Sequence, residues 1–173
     1  MAMHRFFKVS WLGAVLLAAL CIAAAMPGGF QLRVDVPKDA SSDVVLLVRT
    51  YGCNQPAKAK VSGTAEGMVD GKRQSVPLKL KAVAKGVYSI EQQWADEGTW
   101  VLAFTGTYRG RVTSTLVTLG TNGKVAMKKT AAGQTPDARF FPRKLSAGDI
   151  ESALQHLTHH TTPAPRTSTS LSF

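Results

Sequence analysis

The sequence predicts an all-β domain, an immunoglobulin-like antiparallel β-sandwich of about seven strands over residues 31–122, followed by a short C-terminal helix and a disordered tail. Three observations carry this. Short runs rich in Val, Leu, Ile, Tyr, Phe and Trp recur from Leu32 to Leu119, and Gly, Pro, Asn or Asp punctuate them, at the roughly 8–12-residue spacing of a sandwich. Val76, Leu78, Leu80 and Ala82 are interleaved with Pro77, Lys79 and Lys81, a period of two that a helix cannot reproduce. No sustained helical period occurs before residue 146, so the core must be built from strands.

Taken in order, Leu32-Arg33-Val34-Asp35-Val36 alternates and is closed by Pro37, which reads as an edge strand. Val44-Val45-Leu46-Leu47-Val48 is continuously apolar, as expected of a central strand buried on both faces. Lys58–Val69 and Gln74–Val83 pair across Asp70-Gly71, where a hairpin turn requires positive φ. Pro77 cannot donate to a ladder and places the second arm at an edge. Gly86 introduces Val87–Glu91, Gly98 introduces Thr99–Phe104, and Val112–Leu119 ends at Gly120-Thr121-Asn122-Gly123. Trp94 and Trp100 flank the turn Ala95-Asp96-Glu97-Gly98, with Trp100, Leu102 and Phe104 sharing one face as core.

Residues 123–145 read as a basic connector in which Phe140-Phe141 pins the chain to the domain, with a further strand near Lys124–Lys129 as the alternative. Ser146 and Asp149 have capping-box spacing. Behind them Ile150, Ala153, Leu154 and Leu157 form one apolar stripe of a short helix over 146–157. Alone such a helix is marginal, so it is expected to dock. Thr158–Phe173 is rich in Thr, Ser and Pro and is expected to be disordered.

Residues 1–25 have the layout of a signal peptide: Arg5 and Lys8, then the uncharged run Trp11–Ala25, then Met26-Pro27-Gly28-Gly29. Fifteen residues are short for a membrane span, which needs about 20. Small residues at Ala23 and Ala25 place the cleavage between Ala25 and Met26, so the chain is expected to be exported, periplasmic or extracellular. Two alternatives are an uncleaved inner-membrane anchor and acylation at Cys21, although Leu20 is large for the residue before a lipidated cysteine.

Cleavage leaves nineteen basic against eleven acidic residues, a net charge of +8, and one thiol, Cys53. A disulfide framework is excluded, and Cys53, buried or exposed, has no neighbouring histidine in the sequence to activate it. Eight basic residues and one acid, Asp137, lie between Arg109 and Lys144. In an envelope such charge would meet anionic headgroups, acidic glycans or an acidic protein face before nucleic acid, and the same residues also read as a solvated basic face.

Gly86-Val87-Tyr88-Ser89-Ile90, with Gly98-Thr99-Trp100-Val101-Leu102 ten residues beyond Tyr88, resembles the G-x-Y-x-x and G-x-W-x-L pattern of small secreted immunoglobulin-like domains of the YtkA and FixH type. The resemblance implies a membrane-anchored or periplasmic module without enzymatic activity, some members being associated with metal handling or oxidase assembly. No histidine or methionine cluster lies inside this domain, so the metal role does not carry over.

Chemistry-bearing patterns are few. His156, His159 and His160 fall together at the helix end, which makes them candidate copper or zinc ligands, with Met127 a further candidate. Read plainly, they are a polar helix end near its negative pole. No G-x-S-x-G turn, phosphate loop or Cys-x-x-Cys is present, and Asp96-Glu97 read as turn residues. Neither catalysis nor a bound cofactor is expected. The expectation is an exported, non-catalytic binding or accessory module of the cell envelope that contacts a protein or glycan partner, with membrane-surface association through its basic residues. Trp94, Arg109, Arg111, Lys128 and Lys129 are the candidate partner contacts, and the alternative is a periplasmic metal-binding protein.

Overall fold

A computed structural model describes residues 29–37, 43–120, 122–131 and 133–161. The expected cleavage site at Ala25 and Met26, the alternative at Cys21 and the tail beyond residue 161 lie outside the described residues. The strands are β1 (Gln31–Asp35), β2 (Val44–Tyr51), β3 (Lys60–Val69), β4 (Lys72–Pro77), β5 (Lys81–Ala84), β6 (Val87–Glu91), β7 (Thr99–Tyr108), β8 (Arg111–Thr118), β9 (Met127–Thr130), β10 (Gly133–Pro136) and β11 (Ala138–Phe141). Among the described residues one α-helix, α1 (Ala147–Thr161), follows them.

A four-stranded sheet of order β1-β2-β6-β5 packs against a five-stranded sheet of order β11-β8-β7-β3-β4, and β9 and β10 form a separate hairpin. Every pairing is antiparallel. With β1, β2, β5 and β6 as strands A, B, D and E, and β3, β4, β7 and β8 as C, C′, F and G, these orders are those of an immunoglobulin-like sandwich.

The sandwich holds because large side chains on one strand meet small ones on its neighbour. Trp100, Leu102 and Phe104 on β7 point between the sheets and are buried. In register with them on β3 are Gly67, Ala65 and Gly63, so the indole and phenyl rings lie over backbone. A Cβ at Gly67 would sit 2.3 Å from the Trp100 ring. Leu46, Val48 and Ile90 close the core from the opposite sheet.

The other face of β7 is buried as well. Val101, Ala103 and Leu116 meet Ala153 and Leu154 of α1, with Met68, Phe141, Leu145, Ile150 and Leu157 around them. The molecule therefore has three layers, sheet on sheet on helix, and the strands covered on both faces are β7 and β8. The assignment of that role to Val44–Val48 is corrected: only Leu46 and Val48 are fully buried on β2, and Leu47 faces outward.

Three other expectations change. Gln74–Val83 is not one strand. The Asp70-Gly71 turn is present, with φ of 49° and 72°, but β4 ends at Pro77, the chain crosses to the second sheet, and β5 begins at Lys81. Leu78 N–H donates to Gly63 O and Lys79 N–H to the Gln93 side chain, so the crossing segment keeps its backbone paired. Residues 123–145 are not a plain connector, because β11 extends the five-stranded sheet by pairing with β8. Phe141 packs beneath the helix while Phe140 points outward.

The helix continues to Thr161, past the expected boundary at residue 157. Its first turn carries a reciprocal cap: Ser146 Oγ accepts from Asp149 N–H at 3.2 Å, and Asp149 Oδ2 accepts from Ser146 N–H at 2.8 Å.

Candidate functional site: an open groove beside the β9–β10 hairpin

Side chains alternate along paired strands, so Arg33 and Asp35 on β1 share the outward face with Arg49 and Leu47 on β2. Arg49 Nε donates to Asp35 Oδ2 at 3.0 Å. The β9–β10 hairpin stands over this surface and encloses a groove of about 460 Å³, lined by Val34, Asp35, Val36, Leu47, Arg49 and Met127 together with residues of β10. Val36 is 39% exposed and Met127 43%. Among the described residues Tyr51, Val83 and Phe140 are exposed as well, but Val36 and Met127 come from separate elements to line one concavity. Such a groove offers apolar contact along its walls and one ion pair to orient a ligand.

Lys128 reaches back to the domain, with Nζ 3.9 Å from Asp137 Oδ1 and 3.5 Å from Ala138 O. Asp137 N–H donates to Ala126 O, and Thr118 N–H to Asp137 O. The hairpin is thus tied to the sheet at its base, next to the groove.

The candidate contacts from the sequence fall in different places. Lys128 and Lys129 are exposed on β9 beside the groove. Arg109 in the β7–β8 turn and Arg111 at the start of β8 are exposed and do not line it, and the Arg109 guanidinium lies 5.4 Å from the Tyr108 ring centroid. Trp94 is corrected: it is 5% exposed, its Nε1–H donates to Gly123 O at 2.9 Å, and it belongs to the core. Asp96 and Glu97 are exposed turn residues, and Glu97 O accepts from Trp100 Nε1.

Cys53 is half-buried against the core. His156 is exposed on α1, and the side chains at His159 and His160 lie outside the described residues. Among the described residues no three His, Cys, Asp or Glu side chains come together as metal ligands.

The side chains of Ser89, Thr113, Ser114 and Thr115 are buried and pair with other elements. Thr115 Oγ1, for example, donates to Leu32 O at 2.9 Å across the sandwich. No buried side-chain N or O among the described residues lacks a partner. The carboxyl of Asp149 has a displaced titration. The Arg143 guanidinium, bonded to it at 2.6 and 2.9 Å, holds it well below the usual carboxylate range, and the Ser146 hydroxyl and N–H add to this.

Sequence reading missed the groove residues Val36, Leu47 and Arg49. The signal for Arg49 and Leu47 was the alternation along β2, which sends them away from Leu46 and Val48. For Met127 there was none, because its position depends on the hairpin's attachment to residues that are remote in sequence.

The described residues define an immunoglobulin-like β-sandwich with a helix docked on one sheet and a groove beside the other. No family model matches the chain, and neither a curated protein nor a solved structure matches it.

Proposed function

We propose that this chain is an exported, non-catalytic binding module of the cell envelope, and that its groove receives an apolar side chain from an extended segment of a protein partner. The observation that carries this reading is the pair Val36 and Met127, both left in water and both lining one concavity. Aliphatic and thioether walls suit a protein side chain, whereas a glycan is usually held by aromatic stacking, for which the groove has no ring. Methionine adapts its shape at low cost, a property common in surfaces that accept varied apolar groups. Export rests on the sequence of residues 1–26.

A photo-crosslinking residue at position 127, with the same residue at position 70 as control, tests the reading in intact cells. A discrete adduct from position 127 alone is expected. No adduct, or equal adducts from both positions, overturns it. The N-terminus of the accumulated protein tests export separately: a start at Met26 is expected, and an uncut Met1 on a cytoplasmic protein refutes it.

A further inference from the structure

We propose that the end of the sandwich bearing the β7–β8 turn docks onto an anionic lipid bilayer. This surface is separate from the groove, and either could fail without the other.

Strand register gathers the charge. Lys60 lies opposite Thr107, and Arg111 opposite Tyr108. Lys58 precedes β3, Arg109 forms the β7–β8 turn, and Lys85 lies in the β5–β6 turn. Phe30 stacks at 5.7 Å on Tyr108 and Leu32 lies against Gly106, so the two sheets present these elements at the same end. All five cations are exposed, and among the described residues none of them is in an ion pair. The acids Asp35, Asp43, Asp70, Glu91, Asp96 and Glu97 lie on strand ends and turns of the opposite end. The opposite end thus carries both signs, with Lys72 and Lys124 lying among these acids, whereas the strand register places no acid among the five cations. Tyr51, 53% exposed and covered by the Arg33 guanidinium at 3.8 Å, adds an aromatic of the kind that sits at headgroup level.

Complementarity to a surface of anionic headgroups, with Tyr51 exposed beside the cations, commits the proposal to lipid, and the chain's entry into the fold agrees with it. Gly29 and Phe30 enter the fold at this basic end, and four residues separate Phe30 from the apolar run Trp11–Ala25. Such a length of chain reaches at most about 18 Å, so while that run is in the membrane, before the cut expected after Ala25, the basic end is the nearest part of the domain. Cations near an anionic surface attract it over about 8–10 Å.

Arg109 points the same way. Its φ is 48° and Gly110 follows at 75°, a turn conformation that favours Asn or Gly at both positions. An arginine here carries backbone strain while placing a cation at the outermost tip.

The test uses the full chain with vesicles of phosphatidylcholine and phosphatidylglycerol, the latter carrying a photoactivatable headgroup. Reading the site of crosslinking removes any ambiguity from a retained apolar run, which would hold the chain on every vesicle. Adducts are expected on residues 51–60 and 108–111. Yield should fall about fivefold per cation removed, hence about twenty-five-fold for Lys60→Gln with Arg111→Gln, and should hold for Lys72→Gln with Lys124→Gln at the other end. Arg109→Asn should lower the yield while the melting midpoint stays or rises, which separates docking from folding. Adducts spread evenly over the domain, equal loss from both charge pairs, or crosslinking of these residues by a soluble acidic glycan and not by vesicles would each overturn the proposal.

Discussion

Alanine at position 67 would place a methyl group 2.3 Å from the Trp100 ring, and the ring has no free direction in which to retreat because it is wholly buried. Gly67→Ala is expected to lower stability by about 1–3 kcal/mol, read as a lower urea midpoint by tryptophan fluorescence with the m-value unchanged. A midpoint within error of the parent would show that β3 and β7 can separate locally. Gly67 had no marking in the sequence as a contact of Trp100, since the pairing joins positions 33 residues apart. Trp100 itself was legible as core, from its alternation with Leu102 and Phe104. Trp94 was not, because the carbonyl that accepts its N–H belongs to Gly123, 29 residues on. Residue-scale signals were readable where the partner is an i+2 neighbour and silent where it is remote.

Among elements, the helix cap is where local sequence and tertiary packing agree. Ser146→Ala removes the oxygen that accepts from Asp149 N–H and is expected to cost about 1 kcal/mol, measurable by chemical denaturation. Asp149 also sets a pH signature. Its carboxyl is held below the ordinary range in the folded chain, so the folded state binds fewer protons than the unfolded one and this stabilisation is present above about pH 3.9. It is lost as pH falls from there through the folded value. The urea midpoint of the parent minus that of Asp149→Asn should be constant from pH 7 to pH 5 and shrink below pH 4; a difference unchanged down to pH 2 would refute the linkage. The S-x-x-D spacing made this cap legible. The crossing at Pro77–Leu80 was hidden by an unbroken alternation, which stays in phase whether the strand keeps its sheet or changes it. Strands β9 and β10 are short and polar, and β11 is held by nonlocal pairing to β8, which sequence periodicity does not report.

At the scale of the whole molecule the helix is the third layer, and that decides how the histidines can be tested. The continuous apolar run Trp100-Val101-Leu102-Ala103-Phe104 was the sequence's trace of this layer, since a strand apolar on successive positions needs cover on both faces. Removing residues beyond Leu145 would uncover Met68, Val101, Ala103 and Leu116 together with Phe141, an apolar patch on the middle of a sheet. Arg73, which bonds Glu66 at 3.1 Å and Glu151 at 3.3 Å, would lose its bridge from sheet to helix. That truncation is expected to produce a sandwich that self-associates, seen as a concentration-dependent rise in apparent mass by light scattering. Lost metal binding in it would then say nothing about imidazoles. His156→Asn with His159→Asn and His160→Asn leaves Ile150, Ala153, Leu154 and Leu157 in place, so this variant should stay monodisperse wherever the parent is. Aggregation of the triple variant would show that the last helical turn, and not the apolar stripe before it, keeps the third layer closed, whereas a truncated chain that remained monodisperse would mean that α1 is dispensable cover for β7.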